Sequence, residues 1–148
     1  MRLGLRYVAG RVDGQRLTLE PSEILDWYDG LVLGVVRPSW REGTFIAALL
    51  CWNMSLRRRV YALLETDAAE LDALKLSRHD WTGMRSEVEG AFARAAGELT
   101  IVCVDEASGD VVAQRSMPAA QVARDVVSDA EAALREERSV WLEALGEQ

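Results

Sequence analysis

Leu31-Val32-Leu33-Gly34-Val35-Val36 is a near-continuous apolar run of strand length. A half-buried strand would alternate apolar and polar residues. This one does not, so it reads as a central strand covered on both faces. Just ahead stands Asp29-Gly30. Asp and Gly tolerate the positive φ of a tight hairpin turn, so Ile24–Tyr28 is expected to pair with Leu31–Arg37. Further upstream, Asp13-Gly14 predicts a first hairpin joining Arg6–Val12 to Gln15–Glu20, with Pro21-Ser22 as a break between the two hairpins. Downstream, Pro38 to Gly43 reads as a loop, Thr44–Trp52 as a second buried strand, and Asn53–Leu56 as its turn. Arg57–Glu65 then returns as a strand with Val60, Ala62 and Leu64 on one face and Tyr61 and Leu63 on the other.

After residue 66 the apolar period changes from two to about 3.6. Asp67-Ala68-Ala69-Glu70 has the spacing of a capping box, and Leu71, Leu74 and Leu76 offer a short helix its apolar stripe. Ser77–Asp80 interrupts. A second helix is expected over Thr82–Ala96, built on Met84, Val88, Ala91, Phe92 and Ala95 and stopped by Gly97. Glu98–Asp105 and Val111–Met117 read as strands joined by the turn Ala107–Asp110. From Pro118 onward the pattern predicts one long helix with Ala123, Val127, Ala130, Leu134, Trp141 and Leu145 on its apolar stripe and Arg138 as the polar member of that stripe. The fold class is therefore α+β, one domain over residues 1–148. A mainly antiparallel sheet of six to eight strands carries two short helices and a long C-terminal helix packed on one face.

The stretch Ile24-Leu25-Asp26-Trp27-Tyr28-Asp29-Gly30-Leu31-Val32-Leu33 resembles the opening of small uncharacterised bacterial α+β domains. In those domains a Tyr-Asp-Gly turn leads into a meander of strands followed by short helices. The resemblance covers residues 24–76 and implies that outline, but no activity. The expected C-terminal helix departs from it.

Composition narrows the function classes. The chain has 148 residues, 49% of them hydrophobic and 28% charged, as in a globular protein. No apolar run nears the ~20 residues of a membrane-spanning helix, so no membrane partner is expected. The N-terminus has no signal-peptide core, which makes a cytoplasmic location the expectation. The net charge is −7, divided into +2 for residues 1–65 and −9 for residues 66–148. An acidic chain is a poor generic binder of nucleic acid and a better match for a basic protein partner.

Catalytic parts are scarce. Cys51 and Cys103 sit inside apolar strands and read as buried, reduced thiols. No Cys or His pair has metal-ligand spacing, so no metal site and no cofactor are expected. The one histidine, His79, is followed by Asp80 and lies near Trp81 in a predicted loop; a surface or capping role suits it better than general-base catalysis. No catalytic residue is assigned.

The candidate binding residues fall in three places. Trp40-Arg41 and Arg78-His79-Asp80-Trp81 place loop tryptophans beside charges, the composition of a binding hot spot. Arg57-Arg58-Arg59 is the densest basic run; on a strand, Arg57 and Arg59 would share a face, either gripping anions or guarding a strand end. The acids of the last segment, including Asp125, Asp129, Glu136 and Glu137, form an outer face that would steer a basic partner.

The expectation is a non-catalytic protein-binding domain, such as an inhibitor, an immunity-type protein or an adaptor. The alternative is a small-ligand or enzymatic site formed where Trp40, Arg57–Arg59 and His79 converge. A further alternative makes the last helix a docking element within a larger assembly.

Overall fold

A computed structural model describes residues 11–12, 15–77, 80–126 and 130–146. Strands β1 (Arg11–Val12) and β2 (Gln15–Arg16) form a small antiparallel ribbon of their own. Next come β3 (Leu19–Trp27), β4 (Leu31–Pro38), β5 (Phe45–Asn53) and β6 (Arg58–Glu65). Helices α1 (Ala68–Ser77) and α2 (Trp81–Arg94) follow, then β7 (Glu98–Asp105) and β8 (Val111–Pro118). Strands β3 to β8 make one antiparallel six-stranded sheet in chain order, with α1 and α2 carried between β6 and β7. The sheet is open but curled. A bridge between Thr18 and Asp110 ties the start of β8 to the segment leading into β3.

The alternation read from β6 separates two cores. Val60 and Ala62 join Ile46, Leu50, Ile101 and Cys103 on the face covered by Leu74 of α1 and Met84, Val88 and Phe92 of α2. Tyr61 and Leu63 join Leu17, Val32, Val36, Leu49 and Trp52 on the other face. The run Leu31–Val36 is buried throughout, and its Leu33–Val36 part is paired on both sides. Asp67 caps α1 as its spacing predicts, its Oδ1 accepting the Glu70 N–H at 2.9 Å. Leu76, however, is 86% exposed and takes no part in the stripe.

Three expectations change. Pro21-Ser22 is no break: both lie inside β3, where Pro21 pairs with Val36. An edge strand can carry a proline because one side of its ladder needs no donor. The register shifts near Pro21, together with Glu20, Glu23 and Asp26, also make this edge a poor template for further pairing. Leu19-Glu20 therefore belongs to β3 rather than to the first hairpin, while residues 6–10 and 13–14 of that hairpin lie outside the described residues.

The second correction is Trp27, whose place in the expected strand Ile24–Tyr28 predicts a core side chain; it is 58% exposed. Register shifts on either side of Asp26 break the inward–outward alternation just before it, and Trp27 ends up at the hairpin tip. Three residues, Tyr28-Asp29-Gly30, make that turn, with φ of 53° at Asp29 and 147° at Gly30.

The long C-terminal helix is the third. It is broken into α3 (Ala119–Ala123), α4 (Ala130–Ala133), a 3₁₀ turn (Glu136–Ser139) and α5 (Val140–Ala144). The cause is the sheet. Strand β4 pairs with β5 only from Leu33↔Ala48 to Val36↔Phe45, so Leu49–Asn53 have no β4 partner. Ala119 and Val122 pack on the helix-covered core, Ala130 and Ala133 on the other core, and Trp141, Leu142 and Leu145 on the first again. One straight helix cannot bury residues in both. Arg138 marks the crossing, its Nη1 donating to the Leu50 carbonyl (3.3 Å) and the Asp125 carbonyl (2.7 Å).

Both cysteines are buried, with no disulfide between them, on the same face of the sheet. Val60 pairs with Cys51 on one side and Cys103 on the other. Two strand spacings of about 4.8 Å separate them, beyond the ~7 Å limit for a disulfide. Burial pushes the Cys51 thiol from 9.0 up to about 11, with Arg138 pulling it partly back. Burial likewise pushes the Tyr61 phenol from 10.0 up to about 12, against the pull of Arg59.

Both groups are acids whose folded pKa lies above the unfolded one, so the stability they contribute is complete below pH 9 and is lost as pH rises toward 11 and beyond. The unfolding midpoint in urea should therefore fall across pH 9–11. Replacing Cys51 by Ala should flatten the first part of that fall; a midpoint flat across this range would contradict the burial of both groups. Neither thiol should react with Ellman's reagent at pH 8 before unfolding.

Candidate functional site

The gap between β4 and β5 organises the site, and arginine fills it. Arg59, on β6, is buried, and its guanidinium lies over the Trp52 ring at 4.0 Å. Its Nε donates to Glu106 Oε2 (3.0 Å), its Nη1 to the Leu31 carbonyl (3.1 Å) and its Nη2 to the Tyr28 carbonyl (2.9 Å). Trp52 Nε1 donates to the other oxygen of Glu106 at 3.0 Å. The Tyr61 hydroxyl donates to the same Leu31 carbonyl at 2.6 Å. Side chains of β6 thus reach past β5 to hold the β3–β4 hairpin where no backbone ladder does. The Tyr28 ring completes the cluster, edge-on to Trp52 with centroids 5.9 Å apart.

This fixes the hairpin tip opposite the broken C-terminal segment, and a groove runs between them. Its first hollow, about 440 Å³, lies between Asp26, Trp27 and Tyr28 on the tip and Ala130, Glu131 and Leu134. A second, about 300 Å³, shares Leu134 and is walled by Trp52, Met54, Arg135 and Glu136. A third, about 460 Å³, shares Asn53, Glu136 and Ser139 with the second and ends at Leu56, Glu137, Val140 and Glu143. Trp27, Tyr28, Met54, Leu56, Leu134 and Val140 are all exposed along it. Five carboxylates line it against one arginine. Among the described residues no ion pair engages Glu131, Glu136, Glu137 or Glu143.

The residues singled out from sequence are dispersed. Glu136 and Glu137 stand in the groove. Asp125 does not: its Oδ2 accepts the Trp141 indole N–H at 2.7 Å and it helps anchor the segment. Trp40 folds back against the second core, and the Arg41 guanidinium lies over the Phe45 ring at 4.6 Å.

The arginine triplet does not act as a row. Arg57 is an exposed turn residue with φ of 56°, Arg58 pairs with Asp105, and Arg59 is turned inward. Arg41 and Arg57 lie near opposite ends of β5, whose nine residues span roughly 25 Å. The convergence of Trp40 with Arg57–Arg59 required for a small-ligand site is therefore not made. Arg78, His79 and Asp129 lie outside the described residues, as does the side chain of Trp81.

Trp27, Tyr28, Leu134 and Val140 are the groove residues that sequence reasoning missed. A signal existed: Trp-Tyr directly before Asp-Gly puts two large rings at a turn, where nothing can bury both.

Among the described residues no group of three or more His, Cys, Asp or Glu is placed to hold a metal ion, and no helix is long and apolar enough to cross a membrane. Comparison of the chain with protein-family models, with curated proteins and with solved structures finds no match.

Proposed function

We propose that this protein is a binding domain that captures a basic protein partner in the groove beside its C-terminal segment, as an inhibitor, immunity-type protein or adaptor does. One observation carries the reading: exposed Trp27, Tyr28, Leu134 and Val140 share one groove with Glu131, Glu136, Glu137 and Glu143. Exposed aromatics inside a polar rim are the usual anatomy of an interface centre. These carboxylates supply long-range attraction for a positively charged surface.

The test is affinity capture from an extract of the native host, followed by kinetics with the retained protein. Reversing Glu131, Glu136, Glu137 and Glu143 to Lys should slow association at low salt by about tenfold or more and remove most of its salt dependence. Reversing Glu87 and Glu89, exposed on α2, is the matched control and should change little. Equal association rates for both variants would defeat the proposal.

A further inference from the structure

Resting on that reading, we infer that the first hollow of the groove is a guanidinium site, which seats one arginine side chain of the partner against Trp27 and Tyr28 and between Asp26 and Glu131. The lining narrows the ligand by its chemistry. Two carboxylates enter from facing walls, Asp26 from the end of β3 and Glu131 from α4, and among the described residues no cation lines the hollow. An anion is repelled there. A neutral apolar group would strip water from both carboxylates and return no hydrogen bond. A metal ion lacks ligands: among the described residues no three His, Cys, Asp or Glu side chains are placed to hold one. An organic cation meets every part of the lining.

The rings decide which cation. Trp27 and Tyr28 are each 58% exposed, and Ala130 and Leu134 supply the apolar remainder of the lining. Such a surface favours a weakly hydrated ion with an apolar face. An ammonium is a compact, strongly hydrated point charge. A guanidinium is planar, leaves its face bare for a ring and carries its donors along its edges, so one group meets an aromatic face and a carboxylate beside it. The chain builds that arrangement once already, next to the same hairpin tip: Arg59 lies over Trp52 at 4.0 Å while its Nε donates to Glu106 at 3.0 Å. The hollow offers the same kinds of group, ring and carboxylate, in a space of about 440 Å³.

Three capped amino acids test this by NMR titration of the isotope-labelled full chain: the amides of N-acetyl-arginine, N-acetyl-lysine and N-acetyl-citrulline, the last a neutral isostere of arginine. The arginine probe should shift the Trp27 indole N–H and the backbone amides of residues 130–134, and saturate with a Kd on the order of 1 mM, as a fragment of this size does. The lysine probe should bind about fivefold more weakly, and the citrulline probe should not saturate. Trp27→Leu and Glu131→Gln should each weaken the arginine probe by about fivefold or more, read on the backbone amides. Glu87→Gln with Glu89→Gln, on α2, should leave it unchanged.

Citrulline binding as tightly as arginine would overturn the cation. Lysine binding as tightly as arginine would overturn the guanidinium in favour of charge alone. Saturable shifts that spare Trp27 and residues 130–134, or no saturable binding of any probe, would overturn the site. The captured partner separates this failure from that of the groove. If its association still slows on reversing the groove carboxylates while the arginine probe fails, the acidic groove stands and only its guanidinium seat falls. If neither responds, both fall.

Discussion

Replacing Arg59 by Ala should cost about 3 kcal/mol of folding stability, the lower end of the range for removing one partner of a buried ion pair, because Arg59 is buried but Glu106 is partly exposed. The reason is the number of groups left behind. Glu106 loses the Arg59 Nε–H and, among the described residues, keeps the Trp52 indole N–H. The Tyr28 carbonyl loses its donor, the Leu31 carbonyl keeps only Tyr61, and the Trp52 ring loses the cation stacked on it. Each is a desolvated polar group or an emptied contact at the point where β4 and β5 have no ladder between them. Typical domain stabilities are about 5–15 kcal/mol, so this loss is a large fraction of the whole. It should lower the urea midpoint by about 2 M.

Arg59→Lys should recover only part of the loss, since one ammonium cannot reproduce three directed N–H bonds and a planar stack. Arg59→Met combined with Glu106→Leu should cost less than Arg59→Met alone, because the double change leaves no partly buried carboxylate without its cation. A loss below about 1 kcal/mol in Arg59→Ala would mean that the hairpin is held by its strand pairing alone. Gly30 belongs to the same lock: a Cβ there would meet Arg59 Cζ at 2.9 Å, at a φ of 147° that side chains rarely adopt.

How much of this was legible in the sequence depends on the range of the forces involved. Local period identified the buried strands β4, β5 and β7, the two faces of β6, the Asp67 cap and the helices α1 and α2. Each is decided by residues one to four positions apart. Pro21 misleads because proline is judged by its missing donor, and only the sheet order reveals that β3 lies at an edge where that donor is not needed. Trp27 misleads because a bulge moves a side chain to the other face, and bulges leave no mark in the alternation.

Arg59 looked like one of three surface cations. Its burial depends on Leu31 and Tyr28 presenting carbonyls about thirty residues away in sequence. The C-terminal segment is the clearest case. Its stripe is helical by count, yet the residues on it are divided between two cores. Arg138 was read as the polar member of the inward stripe and does turn inward, to hold the crossing. The acidic face was readable as a charge; that Trp27 and Tyr28 stand across from it was not, because the hairpin tip is brought there by tertiary contacts.

The second large effect is expected at Trp141, which anchors that segment. Its ring is buried among the helix-covered core, and its indole N–H meets Asp125 at 2.7 Å. Trp141→Ala should cost about 3–5 kcal/mol, combining lost burial with a cavity. Trp141→Phe keeps most of the apolar area and removes the hydrogen bond, so about 1–2 kcal/mol should be lost. Asp125→Ala should cost at least as much as Trp141→Phe, because it removes the same bond, whereas Asp125→Asn, which keeps an acceptor, should cost less.

These variants also separate anchoring from recognition. Residues 130–143 form one wall of the groove, so a segment loosened by Trp141→Ala should bind the captured basic partner less well even at temperatures where the sheet remains folded. Leu134→Glu should lose the same binding with an unfolding midpoint near that of the wild type, because Leu134 faces outward. A Trp141→Ala protein that retained full affinity for the partner would show that the groove does not depend on how the C-terminal segment is seated, and the wall of the site would have to be sought elsewhere.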